Sequence, residues 1–367
     1  MVYRFAVKTY RLPLRSPLRT AHGVWSVREG LIIRLEAETG VVSYGEVAPL
    51  PQFGTETLAE SLERCLGFSD KTDDAALDAV PARFGCVRFA LAMARSAMTV
   101  AGVGDPGLPG AKDQRPGSPT PATTESEQMI KKTVPAVDQA KRLPVTALLP
   151  AGKAALDVLA GKLEQGFLSF KWKVGVNRPE EELGVLDDLL GLLPSYTRLR
   201  LDANGAWDRR TAEKWLARCA ERPIEFIEQP AAADDIDTLL GLAEDYPVTL
   251  ALDESVTGLA AAREWRERGW QGVFVLKPAL AGPLDELAAW VRESKADVVF
   301  SSAIETVLAR AAIVRFTFAH DLTKRALGFG IGEIFGDRLW DGPIIGPLLD
   351  AGYCDRVGGE EIWNALN

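Results

Sequence analysis

Histidine is almost missing from this sequence, with only His22 and His320 among 367 residues. That scarcity excludes His-rich zinc sites and leaves a Ser-His-Asp triad poorly supplied. Cysteine is sparse as well. Cys65, Cys86, Cys219 and Cys354 are scattered, without CxxC spacing, and read as buried free thiols of a reducing cytoplasm. Cys219 falls on a helical apolar stripe with Ala212, Trp215 and Leu216. No uninterrupted apolar run approaches the roughly 20 residues a membrane helix needs. The N-terminal MVYRFAVKTYRLPLRSPLRT interleaves Arg and Lys with apolar residues and never supplies the apolar core of a signal peptide. No basic block offsets the formal net charge of -9, which disfavours nucleic acid and anionic membranes as partners. A small anionic substrate is compatible with it, because a local cationic pocket can sit on an acidic surface.

What is present is ordinary for a globular chain: 47% apolar and 25% charged residues. The length suggests two domains or one large one. Residues 1–102 read as a small α+β unit. GLIIRLEAETG and VVSYGEVAPL alternate like antiparallel strands, and ARFGCVRFALAMARSAM has the period of an amphipathic helix. Residues 103–142 contain a Gly/Pro-crowded stretch, 104–128, with no hydrophobic period, expected to be a mobile linker or insertion. GVGDPG (102–107), which overlaps its start, matches GxGxxG literally but lacks the preceding strand and following helix of a dinucleotide site, so it is set aside.

From residue 143 to 332 a different repeat begins. LPVTALLPAG, FLSFKWKVG, RLRLDANG, IEFIEQP, VTLALDES, GVFVLKP, DVVFSSAIET and ALGFGIG are eight short strand-like runs with helical patterns between them. After the second run, Leu183, Leu186, Leu190 and Leu193 form one helical stripe. Eight strands alternating with helices point to a (β/α) barrel ahead of an open doubly wound sheet. Residues 333–367 hold no further βα unit and are expected to return to the N-terminal domain.

Barrel chemistry sits at the C-terminal strand ends. Those ends carry Lys171 and Lys173, Asp202 and Asn204, Glu228, Asp253, and Lys277, separated by about one βα unit each. Each alone has a bland alternative: an Asp there commonly caps a helix, and Glu228-Gln229-Pro230 could be a turn. The repeating interval makes the bland readings improbable together. Three carboxylates without His or Cys form a hard oxygen cage suited to Mg²⁺ or Mn²⁺. Lysine is a poor base at its ordinary value near 10.4, but a nearby cation and desolvation both favour the neutral amine. A neutral lysine can remove the proton α to a carboxylate while a metal stabilises the resulting enediolate.

These motifs, KWK, DAN, EQP, DES and LKP on successive strands, resemble the enolase superfamily, and within it the muconate-lactonizing subgroup. The resemblance implies a modified TIM barrel, (β/α)₇β, with an α+β capping domain. It implies Asp202, Glu228 and Asp253 as metal ligands, Lys173 as acid/base catalyst and Lys277 as the opposing lysine. SSAIET on the seventh strand and GFGIG on the eighth are similar to the o-succinylbenzoate synthase branch, although Ala303 and Thr306 stand where Ser is common. The Asp-x-Asp with which dipeptide epimerases grip an ammonium is replaced by the region of Phe329 and Ile331. TAHG (20–23) and PLPQFGTET (49–57) fall where the family's capping-domain specificity loops lie. Lys171, Asn204, Thr20, Ser301 and Ser302 are the residues expected to bind or support the substrate. The activity implied is dehydration of a cyclohexadiene carboxylate in quinone biosynthesis; N-acylamino acid racemization is the alternative. A non-catalytic anion-binding barrel would leave the two-lysine, three-carboxylate set unexplained.

Overall fold

The computed structural model describes residues 1–20, 23–101 and 141–366. The expected mobile stretch 104–128 and the GVGDPG decoy lie outside the described residues. Strands β1 (Val2–Thr20), β2 (Gly23–Ala37), β3 (Val42–Val47) and β4 (Lys71–Asp73) form an antiparallel sheet in the order β3-β2-β1-β4. Leu31, Ile33 and Leu35 share one face of β2 and are fully buried, as strand alternation requires. Three helices accompany the sheet: α1 (Leu58–Leu66), α2 (Asp74–Asp78) and α3 (Gly85–Ala101). Thr57 and Glu60 start α1 with a reciprocal capping box. Gly45 on β3 is the point where α3 comes closest, since a Cβ there would collide with the Ala90 carbonyl.

The second body is the barrel. In order it contains β5 (Leu143–Leu149), α4 (Ala154–Glu164), β6 (Ser169–Lys173), α5 (Pro179–Leu192), β7 (Arg198–Asp202) and α6 (Arg209–Cys219). There follow β8 (Ile224–Glu228), α7 (Ile236–Asp245), β9 (Leu250–Leu252), α8 (Leu259–Glu267) and β10 (Val273–Leu276). The last units are α9 (Leu284–Ser294), β11 (Val298–Phe300), α10 (Val307–His320) and β12 (Leu327–Gly330). All eight runs read from the sequence are strands, and seven are followed by a helix. The parallel pairing runs from β12 through β5 to β11. It closes at a single bridge, Ser301 to Gly328, where the Ser302 amide donates to the Gly328 carbonyl at 3.2 Å. GFGIG serves this closure: a Cβ on Gly328 would lie 2.6 Å from Ser301 Oγ, and one on Gly330 would strike the Thr146 carbonyl.

Phe226, Ala251, Val273, Val275 and Val299 form a small buried cluster apart from the main core. Their strand neighbours Ile227, Leu250, Leu252, Phe274, Leu276, Val298 and Phe300 belong to the outer core beneath the helices. The small cluster is therefore the lumen of the barrel. On α6 the predicted stripe of Ala212, Trp215, Leu216 and Cys219 is buried, and all four cysteines are free and buried. On α5 the buried face is Glu182, Val185, Leu186 and Leu189, while Leu183 and Leu190 sit at its margin. The rotation has a cause: Glu182 turns inward to accept from the amides of Gly175, Val176 and Asn177. After the barrel come α11 (Arg338–Asp341), β13 (Leu348–Leu349), which pairs with β5, and α12 (Gly359–Asn364). Lys8 donates to the carbonyls of Trp363 and Leu366, which ties this last helix to the antiparallel sheet. Among the described residues no helix is long and apolar enough to cross a membrane.

Candidate active site

Period-two alternation carries the lumen upward into a polar mouth. On β8 Phe226 points into the lumen, so Glu228 two residues on does too; Val275 does the same for Lys277 and Ala251 for Asp253. On β6 Phe170 and Trp172 pack in the outer core, which leaves Lys171 and Lys173 facing inward. Lys173, Asp202 and Glu228 are register partners on three successive strands. Glu228 pairs with Ala251, so Asp253 lies two residues further up, and Lys277 rises two beyond that, the stagger of tilted barrel strands. Strands β6 and β10 are four places apart in an eight-strand circuit, so their lysines face each other across the mouth.

The side chains meet closely. Lys171 Nζ lies 2.7 Å from Asp202 Oδ2 and 2.6 Å from Glu228 Oε1. Lys277 is paired with Asp253 in the same buried layer. Asn204 sits at φ 45° and donates from Nδ2 to Glu254 Oε1 at 3.2 Å, while its amide donates to Asp202 Oδ1. Gln229, at φ 40°, accepts at Oε1 from the amides of Asp253 and Ser255 and fixes the backbone beneath the third carboxylate. Left-handed backbone at non-glycine residues is costly and gathers at functional sites.

Burial and then the neighbouring carboxylate of Asp202 push Glu228 up to about 8. Burial, Asp253 and Asp202 push Glu254 up to about 7. Burial disfavours the ammonium of Lys171, but Asp202, Glu228 and Asp253 outweigh it and hold this lysine above its ordinary value. The three carboxylates thus hold Lys171 as their counter-ion.

Among the described residues no three of His, Cys, Asp and Glu enclose one point as a finished metal cage. Lysine ammoniums lie against the carboxylates instead. The donor set nevertheless fits a hard divalent cation. Four buried or nearly buried carboxylates face three lysines, and Asn204 Oδ1 and Glu254 Oε2 are buried oxygens with no hydrogen-bond partner. Unanswered buried oxygens beside carboxylates that resist ionisation are what a divalent ion would satisfy.

Other expected residues lie differently. The Ser302 hydroxyl donates to the Glu305 carboxylate at 3.0–3.1 Å and accepts from the Ile304 amide, so it braces the strand-seven turn. Ser301 Oγ is directed to the Gly328 carbonyl at 3.4 Å. Thr20 ends β1, paired with Gly23. Glu254, Gln229 and Phe53 belong to the site although sequence reasoning did not single them out. The first two were visible as letters of DES and EQP. Phe53 lies in the PLPQFGTET segment, and its ring centroid is 4.6 Å from Lys277 Nζ. A cavity of about 670 Å³ lies elsewhere, lined by residues such as Tyr44, Met93, Phe316 and Trp363. Convergence of charge, and not concavity, marks the candidate active site.

A (β/α)₇β barrel with lysines and carboxylates at its mouth under an antiparallel cap defines the enolase superfamily. Residues 155–330 match the enolase C-terminal domain-like family, and residues 2–98 match the MenC N-terminal domain. The o-succinylbenzoate synthase of Thermosynechococcus vestitus is 36% identical over 99% of each chain. This chain belongs to the o-succinylbenzoate synthase family. The crystal structure of the enzyme from Thermosynechococcus elongatus BP-1, solved with Mg in the active site, superposes with a TM-score of 0.78 at 35% identity, covering 99% of this chain and 100% of that one. Muconate cycloisomerase 1 of Rhodococcus opacus is 30% identical over 56% of this chain and 55% of its own. A dipeptide epimerase from Enterococcus faecalis shares the fold, with a TM-score of 0.72 at 21% identity over 89% of this chain and 90% of that one.

Proposed function

We propose that this protein is a Mg²⁺-dependent o-succinylbenzoate synthase. It is a hydro-lyase that converts 2-succinyl-6-hydroxy-2,4-cyclohexadiene-1-carboxylate to o-succinylbenzoate and water, a step toward menaquinone or phylloquinone, in the cytoplasm. The observation that carries this reading is the 36% identity along 99% of both chains with an o-succinylbenzoate synthase, joined to the lysine and carboxylate mouth.

Asp202, Glu228 and Asp253 are the residues that would hold the ion. Mg²⁺ bound there supplies positive charge against the negative charge that develops on the substrate carboxylate. Lys173, as a neutral amine, takes the proton α to that carboxylate and becomes an ammonium. It then gives the proton to the departing hydroxyl on the same face. One C–H and one C–O bond break, a ring double bond forms, water leaves, and Lys173 is neutral again. Lys277, on the opposite wall, remains an ammonium and supports the anionic transition state electrostatically. Lys171 keeps Asp202 and Glu228 oriented.

The test is an assay of the purified protein on the dehydration substrate. Turnover should vanish with a chelator and return with Mg²⁺. The facing lysines also suit N-succinylamino acid racemization, in which each must be neutral in turn. A protein that exchanges and racemizes the α-proton in deuterated solvent but does not dehydrate overturns the reading.

A further inference from the structure

Arg28, on β2, is only 5% exposed, and all five of its N–H groups go to backbone carbonyls. On the capping side, Nη2 donates to Ala48 at 2.6 Å and Nη1 to Pro49 at 2.8 Å and to Glu29 at 2.9 Å. On the barrel side, Nε donates to Ile304 at 3.0 Å and Nη2 to Ala303 at 3.4 Å. One planar guanidinium therefore joins the start of the capping turn to the turn after β11. No lysine could reproduce the five-donor fork.

Both ends of this bridge are shaped backbone. Ile304 is β-branched yet sits at φ 59°, a conformation that persists only where its surroundings impose it. Its amide is held by Ser302 Oγ at 2.9 Å and its carbonyl by Arg28. In the capping turn, the Leu50 amide donates to Thr55 Oγ1 and the Phe53 amide to the Leu50 carbonyl, both at 2.8 Å. The segment from Ala48 to Thr55 is thus braced internally, and Arg28 grips its first carbonyls. Trp25, three residues before Arg28 on β2, meets the Phe53 ring edge-on at 6.5 Å. Phe53 in turn lies over Lys277.

We propose that Arg28 is a positioning residue for the reaction: by locking the capping turn to the strained turn at Ile304, it holds the Phe53 ring against Lys277 and so sets the direction of that ammonium across the mouth. The proposal rests on the role given above to Lys277. Neither Arg28 nor Phe53 needs to touch the reacting atoms, but misplacement of a catalytic group by a fraction of an ångström to an ångström carries a large rate penalty.

The experiment is steady-state kinetics at saturating Mg²⁺, with thermal unfolding measured alongside, on Arg28→Lys, Phe53→Leu and the double variant. Each single change should lower kcat by about tenfold with KM within about threefold. The double variant should be no slower than the slower single one, because one residue acts through the other. An Arg28→Lys enzyme with native kcat, or two losses that multiply, would overturn the proposal. If Arg28→Lys does not fold, Ile304→Gly tests the same bridge by releasing the strained peptide. It should keep its unfolding temperature and lose kcat several-fold, and native kcat in that variant would count against the bridge. Lys277→Arg serves as the reference. Full activity there sinks the assigned role of Lys277, whereas an impaired Lys277→Arg beside unaffected Arg28 and Phe53 variants sinks only the bridge.

Discussion

Glu225 and Glu228 lie three residues apart on β8, at opposite ends of the barrel, and their surroundings move them in opposite directions. At the lower end Glu225 accepts from Arg200 Nε at 2.7 Å and from Arg325 Nη1 at 2.7 Å, and Arg325 also grips Asp297. Burial alone would raise Glu225, but the two guanidiniums outweigh it and hold its carboxyl below 4.5. Arg200 and Arg325 also lie over the Phe226 ring, at 4.8 and 5.8 Å, and Arg200 Nη1 reaches the Ala326 carbonyl. At the upper end Glu228 is pushed up to about 8, and two neighbouring oxygens have no partner. The lower network is electrostatically closed and serves the fold. The upper one is left incomplete by the protein's own groups, and that incompleteness is what a cation and an anionic substrate would complete. In barrels generally, the lower face carries stability and the upper face chemistry.

The largest expected effect separates the two ends by activity. Lys173→Arg keeps the charge but offers no usable base, so dehydration should fall by at least about 10²–10⁴-fold. Glu228→Gln should abolish turnover while metal-free stability stays level or rises, because it removes a buried carboxylate that its neighbours oppose. Robust turnover in Lys173→Arg would remove that lysine from the role of base. Chemical denaturation of Glu228→Gln showing a large loss of stability would erase the contrast between the ends.

Next in size is the converse change. Glu225→Ala leaves the buried Arg200 without its carboxylate, while Arg325 keeps Asp297, and should cost about 3–5 kcal/mol. Denaturant unfolding checks the loss, and kcat per folded molecule should be unchanged. A kcat defect at equal folded fraction would mean that the lower network reaches the chemistry.

The smallest effect is in acid. Because the folded value of Glu225 is depressed, its stabilisation is fully present above its ordinary value of 4.5 and disappears as pH falls through the folded value. Unfolding temperatures of the native protein should therefore drop on the acid side more steeply than those of Glu225→Gln. Parallel curves would show that Glu225 is not coupled to folding as its geometry implies.

Much of the mouth was legible before any coordinates. Strand ends at one repeating interval place Lys171, Asp202, Glu228, Asp253 and Lys277 together, and alternation aims each of them inward. What escaped was the identity of partners. Ser302 reads as a substrate-facing serine at a strand end, yet its hydroxyl goes to Glu305, because the turn at Ile304 folds that carboxylate back beneath it. Arg28 reads as one more charged residue on a capping strand, and its five carbonyl partners include two that lie about 275 residues away.

The sequence by itself determined the elements, the eight-strand repeat and the side of each strand on which charge appears, because a period of two or of 3.6 is a property of neighbouring residues. Only the tertiary structure decided that Lys171 lies between Asp202 and Glu228, that Glu225 is paired by Arg325 one hundred residues on, and that barrel closure falls at Gly328. These depend on barrel closure, strand stagger and burial, which set distances and solvation between residues that are remote in the chain, and an ionisable group takes its state from those distances and not from its neighbours in sequence.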